Sequence, residues 1–209
     1  MGTKTLYLLD FDGTITYSDT FTPFILRTIS LPRKVVFAPV FIPLYCLYKL
    51  GIFPASLLRQ WVVYMGFVGV NKHTVERAGQ RYCDNTLAGV LRPDMVTLIQ
   101  QAKLNGDCVF VVSASLSAYL QPWCKTLNIG LLCSDIASNE RGILTGRYVS
   151  GDCTGHNKVT RLLEQVNLSD FDTIIAYGDT KEDIPLLRTA NLAYYKGRKV
   201  EPLSLCAKN

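Results

Sequence analysis

Histidine is nearly missing from this 209-residue chain, which has only His73 and His156, and no C-x-x-C pair occurs. Those absences remove the usual ways of holding zinc, because neither histidine has a partner at metal-ligand spacing. Both read as surface residues or local hydrogen-bonding groups. Seven cysteines, an odd number, lie scattered as Cys46, Cys83, Cys108, Cys124, Cys133, Cys153 and Cys206. That scatter excludes a disulfide framework and points to a reducing cytoplasm, with most thiols acting as small core hydrophobes. Charge is sparse too, at 19% of residues with a formal net charge of +5. This is far below the Lys/Arg density of a nucleic-acid binder, so nucleic acid is excluded as partner. The mild positive excess suits an anionic substrate or an anionic membrane surface. No secretory signal precedes the first strand. The uninterrupted apolar stretch Val35 to Tyr48 is too short to cross a bilayer as a helix.

Apolar residues are plentiful, at 48% of the chain, enough for a substantial core. They fall in short continuous runs: Leu6–Leu9, Asp107–Ser113, Leu131–Ile136, Asp172–Asp179 and Leu192–Tyr195. Such runs, with helical stretches at Pro93–Gly106 and His156–Asn167 between them, predict an α/β fold. Its sheet is doubly wound and mostly parallel, covered on both faces. Ser138–Val149 reads as a turn and hairpin. One connection is far too long for a crossover, the run from Asp10 to Gly106. Pro93–Gly106 suffices as its crossover helix. Residues 17–89 are therefore predicted to be an inserted helical cap after the first strand, with 1–16 and 90–209 forming the core. Pro32 and Pro54 mark helix starts in the cap, and Asn71 is a plausible N-cap.

Open α/β sheets bind ligands at the carboxyl ends of their strands. Asp10 and Asp12 follow the first strand in "LYLLDFDGTIT", Ser113 ends the second, and Asp179 ends the strand Asp172–Asp179. Lys158 starts the helix that feeds that strand. All can converge on one sheet edge. A carboxylate can attack phosphorus, and a second one two residues on can protonate the leaving oxygen. Asp179 and Asp183 offer hard oxygen ligands suited to Mg²⁺, and Lys158 adds a fixed positive charge. Each piece has an ordinary reading by itself. Asp12–Gly13 is a common turn, Thr180–Asp183 a capping box, Ser113 a loop serine and Lys158 a solvated lysine. The joint pattern outweighs these separate readings.

"DFDGT", "VVSAS", the lysine of "GHNK" and "GDTKED" resemble, in order, the four motifs of the haloacid dehalogenase superfamily. The resemblance implies a Mg²⁺-dependent phosphatase with Asp10 as nucleophile and Asp12 as general acid/base. It implies metal binding by the Asp10 carboxylate, the Asp12 carbonyl and Asp179, with Asp183 in support. Ser113, with Ala114 beside it, and Lys158 would bind the phosphoryl group of a small phosphomonoester. An acid at Asp12 is similar to phosphatases and phosphomutases, unlike dehalogenases or transport ATPases. The insertion and "ILTGRY" resemble the phosphoserine-phosphatase-like subgroup. There Asp19 is the nearest match to a substrate-amine ligand, and Arg59 to a cap arginine that holds a carboxylate.

The segment Lys34–Phe53 opens a second reading. Its composition predicts a core helix of the cap, kinked at Pro39 and Pro43. The alternative is an interfacial segment flanked by Arg33, Lys34 and Lys49. It would make the protein membrane-associated and its substrate a lipid phosphate, as in subgroup members that act on phosphatidylglycerophosphate. Two non-enzymatic readings stand further off. Receiver-type phosphoacceptor domains draw their acidic pair from different strands and have no such cap. An idle membrane-binding module would not need Asp10, Asp12, Lys158 and Asp179 together.

Overall fold

The computed structural model describes residues 4–205, so Cys206 lies outside the described residues. Strand β1 (Thr5–Leu9) turns at Phe11–Ile15 into helices α1 (Phe21–Thr28), α2 (Leu31–Lys49), α3 (Ala55–Phe67) and α4 (Lys72–Asn85). The chain returns through α5 (Pro93–Leu104) to β2 (Cys108–Leu116), α6 (Ser117–Leu127) and β3 (Gly130–Ser134). A hairpin of β4 (Ile136–Ser138) and β5 (Leu144–Tyr148) precedes α7 (His156–Gln165) and β6 (Thr173–Gly178). Next come α8 (Ile184–Leu187), β7 (Leu192–Tyr195) and β8 (Arg198–Val200), followed by a short helical turn at Pro202–Ser204.

Six strands form one sheet in the order β3-β2-β1-β6-β7-β8. All neighbours pair in parallel except β7 and β8, an antiparallel edge that the sequence reading lacks. Alternation sorts the strand residues onto two cores. Leu9, Val109 and Val111 pack under α5 and α6, while Leu6, Leu8 and Val112 pack against α7 and α8. Burial on both faces is why these strands read as unbroken apolar runs. Strand β2 outlasts its prediction. Its pairing with β3 shifts register between Val112 and Leu116, so Ser113–Ser115 leave the regular ladder where the site forms.

Helix α4 has Val75, Gly79, Tyr82 and Cys83 on one face, spaced three and four apart. A Cβ on Gly79 would meet the carbonyl oxygen of Ala118 at 1.9 Å, so only glycine lets α4 sit this close to α6. Asn71 caps α4 as expected, accepting from the His73 N–H at 2.9 Å. Phe24 of α1 sits where insertion and core meet, its ring 4.8 Å from Tyr119 and 5.4 Å from Tyr82.

Helix α2 departs from expectation. It is one continuous helix of 19 residues through Pro39 and Pro43, long and apolar enough by composition to cross a membrane. The prolines remove two backbone donors, but the turns before and after keep theirs, as in Lys34 N–H to Ser30 O and Leu50 N–H to Cys46 O. No residue of α2 is buried, which overturns the core-helix reading. Phe37, Ala38, Phe41 and Leu44 are half-covered on one side, whereas Val35, Val36 and Ile42 are 66%, 68% and 57% exposed. Of the basic residues expected to flank it outward, Arg33 is engaged elsewhere. Its guanidinium donates to the carbonyls of Met65, Gly66 and Val68 and so closes the end of α3.

Candidate active site

Lys158 is 2% exposed and donates to Asp10 Oδ1 and Asp183 Oδ1, both at 2.6 Å. One lysine thus joins the end of β1 to the turn after β6. Asp10 extends the pairing of β1 with β6, its N–H reaching Tyr177 O at 3.0 Å. The chain then turns on Gly13 at φ 80°. A Cβ there would lie 2.2 Å from Asp179 Oδ2, so the Asp179 carboxylate rests on the glycine itself. That is why two carboxylates and a glycine follow a buried strand.

The two carboxylates on Lys158 share its charge unequally. Asp183 Oδ2 also accepts from the Asp179 N–H (3.1 Å), the Thr180 N–H (2.9 Å) and the Thr180 hydroxyl (2.8 Å). Burial works against ionising it, but Lys158 and these donors hold Asp183 below the ordinary carboxylate range. This is also the predicted capping box, so Asp183 serves cap and site together. Asp10 lacks such donors. Burial pushes it well above the ordinary range, Asp183 pushes the same way, and Lys158 opposes them. Burial would lower Lys158, yet Asp10 and Asp183 outweigh it and keep the ammonium charged.

Asp12 is clamped on both oxygens. Oδ1 accepts from the Thr20 N–H at 2.6 Å and the Thr20 hydroxyl at 2.5 Å, and Oδ2 accepts from the Ser115 hydroxyl. Burial raises its pKa to about 6 against the pull of those donors. A carboxyl in that range can give and take a proton near neutrality. Burial, aided by Asp183, raises Asp179 as well, and its Oδ1 is buried without a partner. Carboxylate oxygens of Asp10, Asp179 and Asp183 lie within 4.8 Å of one another. An orphaned oxygen amid hard anionic donors fits a divalent cation such as Mg²⁺.

A cleft of about 500 Å³ lies over these groups, between sheet edge and insertion, and Ser113, Ala114 and Ser115 line it. Ser113 is 1% exposed, and its Oγ accepts from the Ser115 N–H at 3.1 Å. The far wall is apolar, with Phe21 and Ile25 of α1 and Phe41, Tyr45 and Tyr48 of α2.

Two expected site residues reach the cleft but are engaged otherwise. Asp19 accepts from the N–H groups of Phe21 (2.9 Å) and Thr22 (3.2 Å), so its carboxylate caps α1. Arg59 pairs with Asp152 at 2.8 Å and Glu182 at 2.9 Å, so its guanidinium is neutralised and ties α3 to the core. Sequence reading missed Ser115, Thr20, Asp152 and Glu182. A usable signal existed for Ser115: two residues past Ser113 on a strand, it shares that residue's face. His73 and His156 are exposed, and neither lines the cleft. The six described cysteines are free.

Residues 7–188 match the family of haloacid dehalogenase-like hydrolases. The chain belongs to that family. This hydrolase is 26% identical over 196 residues to Protein CicA of Caulobacter vibrioides, covering 91% of this chain and 85% of the relative. It is 33% identical over 107 residues to a phosphoserine phosphatase of Albidiferax ferrireducens, covering 48% of this chain and 45% of that protein. A crystal structure of a protein of unknown function from Bordetella pertussis Tohama I shares its fold. That likeness has a TM-score of 0.78 at 20% identity, covering 92% and 89% of the two chains. The family match lends no support to a receiver domain.

Proposed function

We propose that this hydrolase is a Mg²⁺-dependent phosphatase that cleaves a phosphomonoester through an aspartyl-phosphate on Asp10. The observation that carries the reading is Lys158 held between Asp10 and Asp183, with Asp12 clamped two residues along the same turn. Asp10 attacks phosphorus. Asp12 protonates the leaving oxygen, then takes a proton from the attacking water. Ser113 and Lys158 hold phosphoryl oxygens. Asp10, Asp179, the Asp12 carbonyl and Asp183 would hold Mg²⁺, which when bound offsets the crowded negative charge. Residues 17–89 act as a cap over a core made of 1–16 and 90–209.

The first substrate reading is a small soluble phosphomonoester such as phosphoserine. It is supported by the name of the Albidiferax ferrireducens relative. It is weakened by Arg59 and Asp19, whose charges are already satisfied inside the protein. A second reading, a lipid phosphate met at a membrane surface, is favoured by one observation. Helix α2 has no buried residue, yet its Phe41, Tyr45 and Tyr48 line the catalytic cleft. An apolar helix left open to solvent beside the cleft is what an interfacial enzyme requires.

Phosphate release measured with Mg²⁺ and with EDTA tests the class and separates the two substrates. The panel is p-nitrophenyl phosphate, phosphoserine, histidinol phosphate, sugar phosphates and vesicle-borne phosphatidylglycerophosphate. Mg²⁺-dependent release from at least one is expected. Failure on all of them refutes the phosphatase reading, and preference for the vesicle substrate selects the lipid.

A further inference from the structure

The carboxylate of Asp12 is held by Thr20, which lies outside all four sequence motifs, and by Ser115, the last residue of "VVSAS", to which the resemblance assigns no role. Thr20 binds Oδ1 with its backbone N–H and its hydroxyl, and Ser115 binds Oδ2. Thr20 is itself fixed from two sides. Its hydroxyl donates to Asp12 and so accepts from the Tyr119 hydroxyl at 3.0 Å, while the Tyr82 hydroxyl donates to its carbonyl at 3.1 Å. Tyr119 belongs to α6 of the core and Tyr82 to α4 of the insertion. Thr20 and Ser115 are each 1% exposed, so no bulk water competes for these bonds.

Ser115 occupies the other side of the clamp, at the bulged end of β2. Its N–H donates to Ser113 Oγ while its hydroxyl donates to Asp12. A single residue therefore sets the spacing between a proposed phosphoryl-binding hydroxyl and the proposed acid. Without it, Asp12 would keep both bonds to Thr20 on Oδ1 but lose the one that stops rotation about its last torsion. In the step concerned, an Asp10 oxygen bonds to phosphorus as the P–O bond to the leaving group breaks. The bonding pair leaves with the alcohol oxygen, and Asp12 supplies the proton that completes the alcohol. That transfer demands a carboxyl held within a fraction of an ångström of its productive place.

We propose that Ser115 is a positioning residue for this reaction, holding Asp12 in line with the leaving-group oxygen while Thr20 anchors the opposite carboxylate oxygen. The inference rests on the phosphatase reading above. It separates Ser115 from Ser113: the Ser115 hydroxyl is spent on the acid, leaving Ser113 to meet the phosphoryl group.

The test compares wild type, Ser115→Ala and Ser115→Thr on phosphate esters whose leaving groups span a wide pKa range. Ser115→Ala is expected to lose about 10²-fold in kcat on alkyl phosphates, the scale of a misplaced catalytic group. Its burst on dinitrophenyl phosphate, whose departure needs no proton, should change less than about 3-fold, and KM should stay within about 2-fold. Ser115→Thr keeps the hydroxyl and should restore the alkyl rate. In an Asp12→Asn background, Ser115→Ala should cost nothing more, because the group it positions is gone. An equal loss across leaving groups, a raised KM with an unchanged leaving-group dependence, or a further loss on top of Asp12→Asn would each overturn the proposal. Should Ser115→Ala melt early, Ser115→Cys keeps the volume without the strong donor and carries the same comparison. An inactive wild type would refute the phosphatase reading itself. An active wild type with an unaltered Ser115→Ala profile would refute the role of Ser115 alone.

Discussion

Arg59 Nε lies 2.8 Å from Asp152 Oδ2, an ion pair between a helix of the insertion and the loop that leads to Lys158. The Asp152 side chain is only 2% exposed, and its other oxygen accepts from Ser134 at 3.1 Å. Arg59→Ala leaves that carboxylate buried with half its partners. A stability loss of about 1–3 kcal/mol is expected, between the values for surface and fully buried pairs, and chemical denaturation measures it. Phosphoserine KM should rise no more than the KM for p-nitrophenyl phosphate. A selective rise for phosphoserine would return Arg59 to the role of a substrate-carboxylate ligand.

Mg²⁺ should raise the melting temperature, and more at pH 7.5 than at pH 5. The sign follows from the raised pKa values of Asp10, Asp12 and Asp179. Carboxyl groups raised by burial favour the fold while protonated. Their contribution is complete below the unfolded value near 3.8 and is lost as pH rises through the folded value, about 6 for Asp12. The metal-free protein therefore loses this contribution towards neutral pH, where a cation binding the ionised Asp10 and Asp179 restores most. Thermal melts with Mg²⁺ or EDTA at the two pH values check this. Equal shifts at both would contradict it. Ca²⁺, which takes more oxygen ligands, should inhibit turnover.

Asp10→Asn should abolish turnover and leave the fold intact or more stable. Asn removes an anion from a buried acidic cluster and still presents an oxygen to the Lys158 ammonium. A melting temperature several degrees below wild type would show that the ionised Asp10 helps hold the fold. Turnover near the wild-type rate would end the covalent mechanism.

Legibility tracked how local the signal was. Leu6–Leu9 and Thr173–Gly178 announce themselves because strands buried on both faces must be apolar throughout, and Asp10, Asp12 and Asp179 follow such strands directly. Helix α6 was not foreseen, since Pro122 interrupts its pattern from inside. Arg59 was marked only through the resemblance, as a match to a cap arginine that holds a carboxylate. Its engagement was not legible, because Asp152 and Glu182 reach it only through the tertiary fold. The clamp on Asp12 joins Thr20 to Ser115 across the whole insertion for the same reason. Helix α2 shows a different limit. An apolar helix has the same composition whether neighbours cover it or leave it bare, and only the packed structure distinguishes the two.

That bare face yields the last prediction. Val36, Val40 and Ile42 do not line the cleft and are 68%, 48% and 57% exposed. If α2 rests in the headgroup region, they enter the acyl boundary while Lys34 and Lys49 meet anionic lipid, each worth about 1 kcal/mol near the surface. The purified protein should then co-sediment with vesicles containing phosphatidylglycerol, and less so as salt rises. Changing all three residues to serine should weaken that binding at least ten-fold, since about 1.4 kcal/mol suffices and the lost apolar burial exceeds it. Each change should alter folding stability by only about 0.5 kcal/mol, because exposed side chains have little packing to lose. Turnover of p-nitrophenyl phosphate should persist while hydrolysis of a vesicle-borne phosphate falls. Absence of wild-type sedimentation, with soluble and lipid substrates responding alike to the triple change, would leave the small soluble phosphomonoester as the substrate of this site.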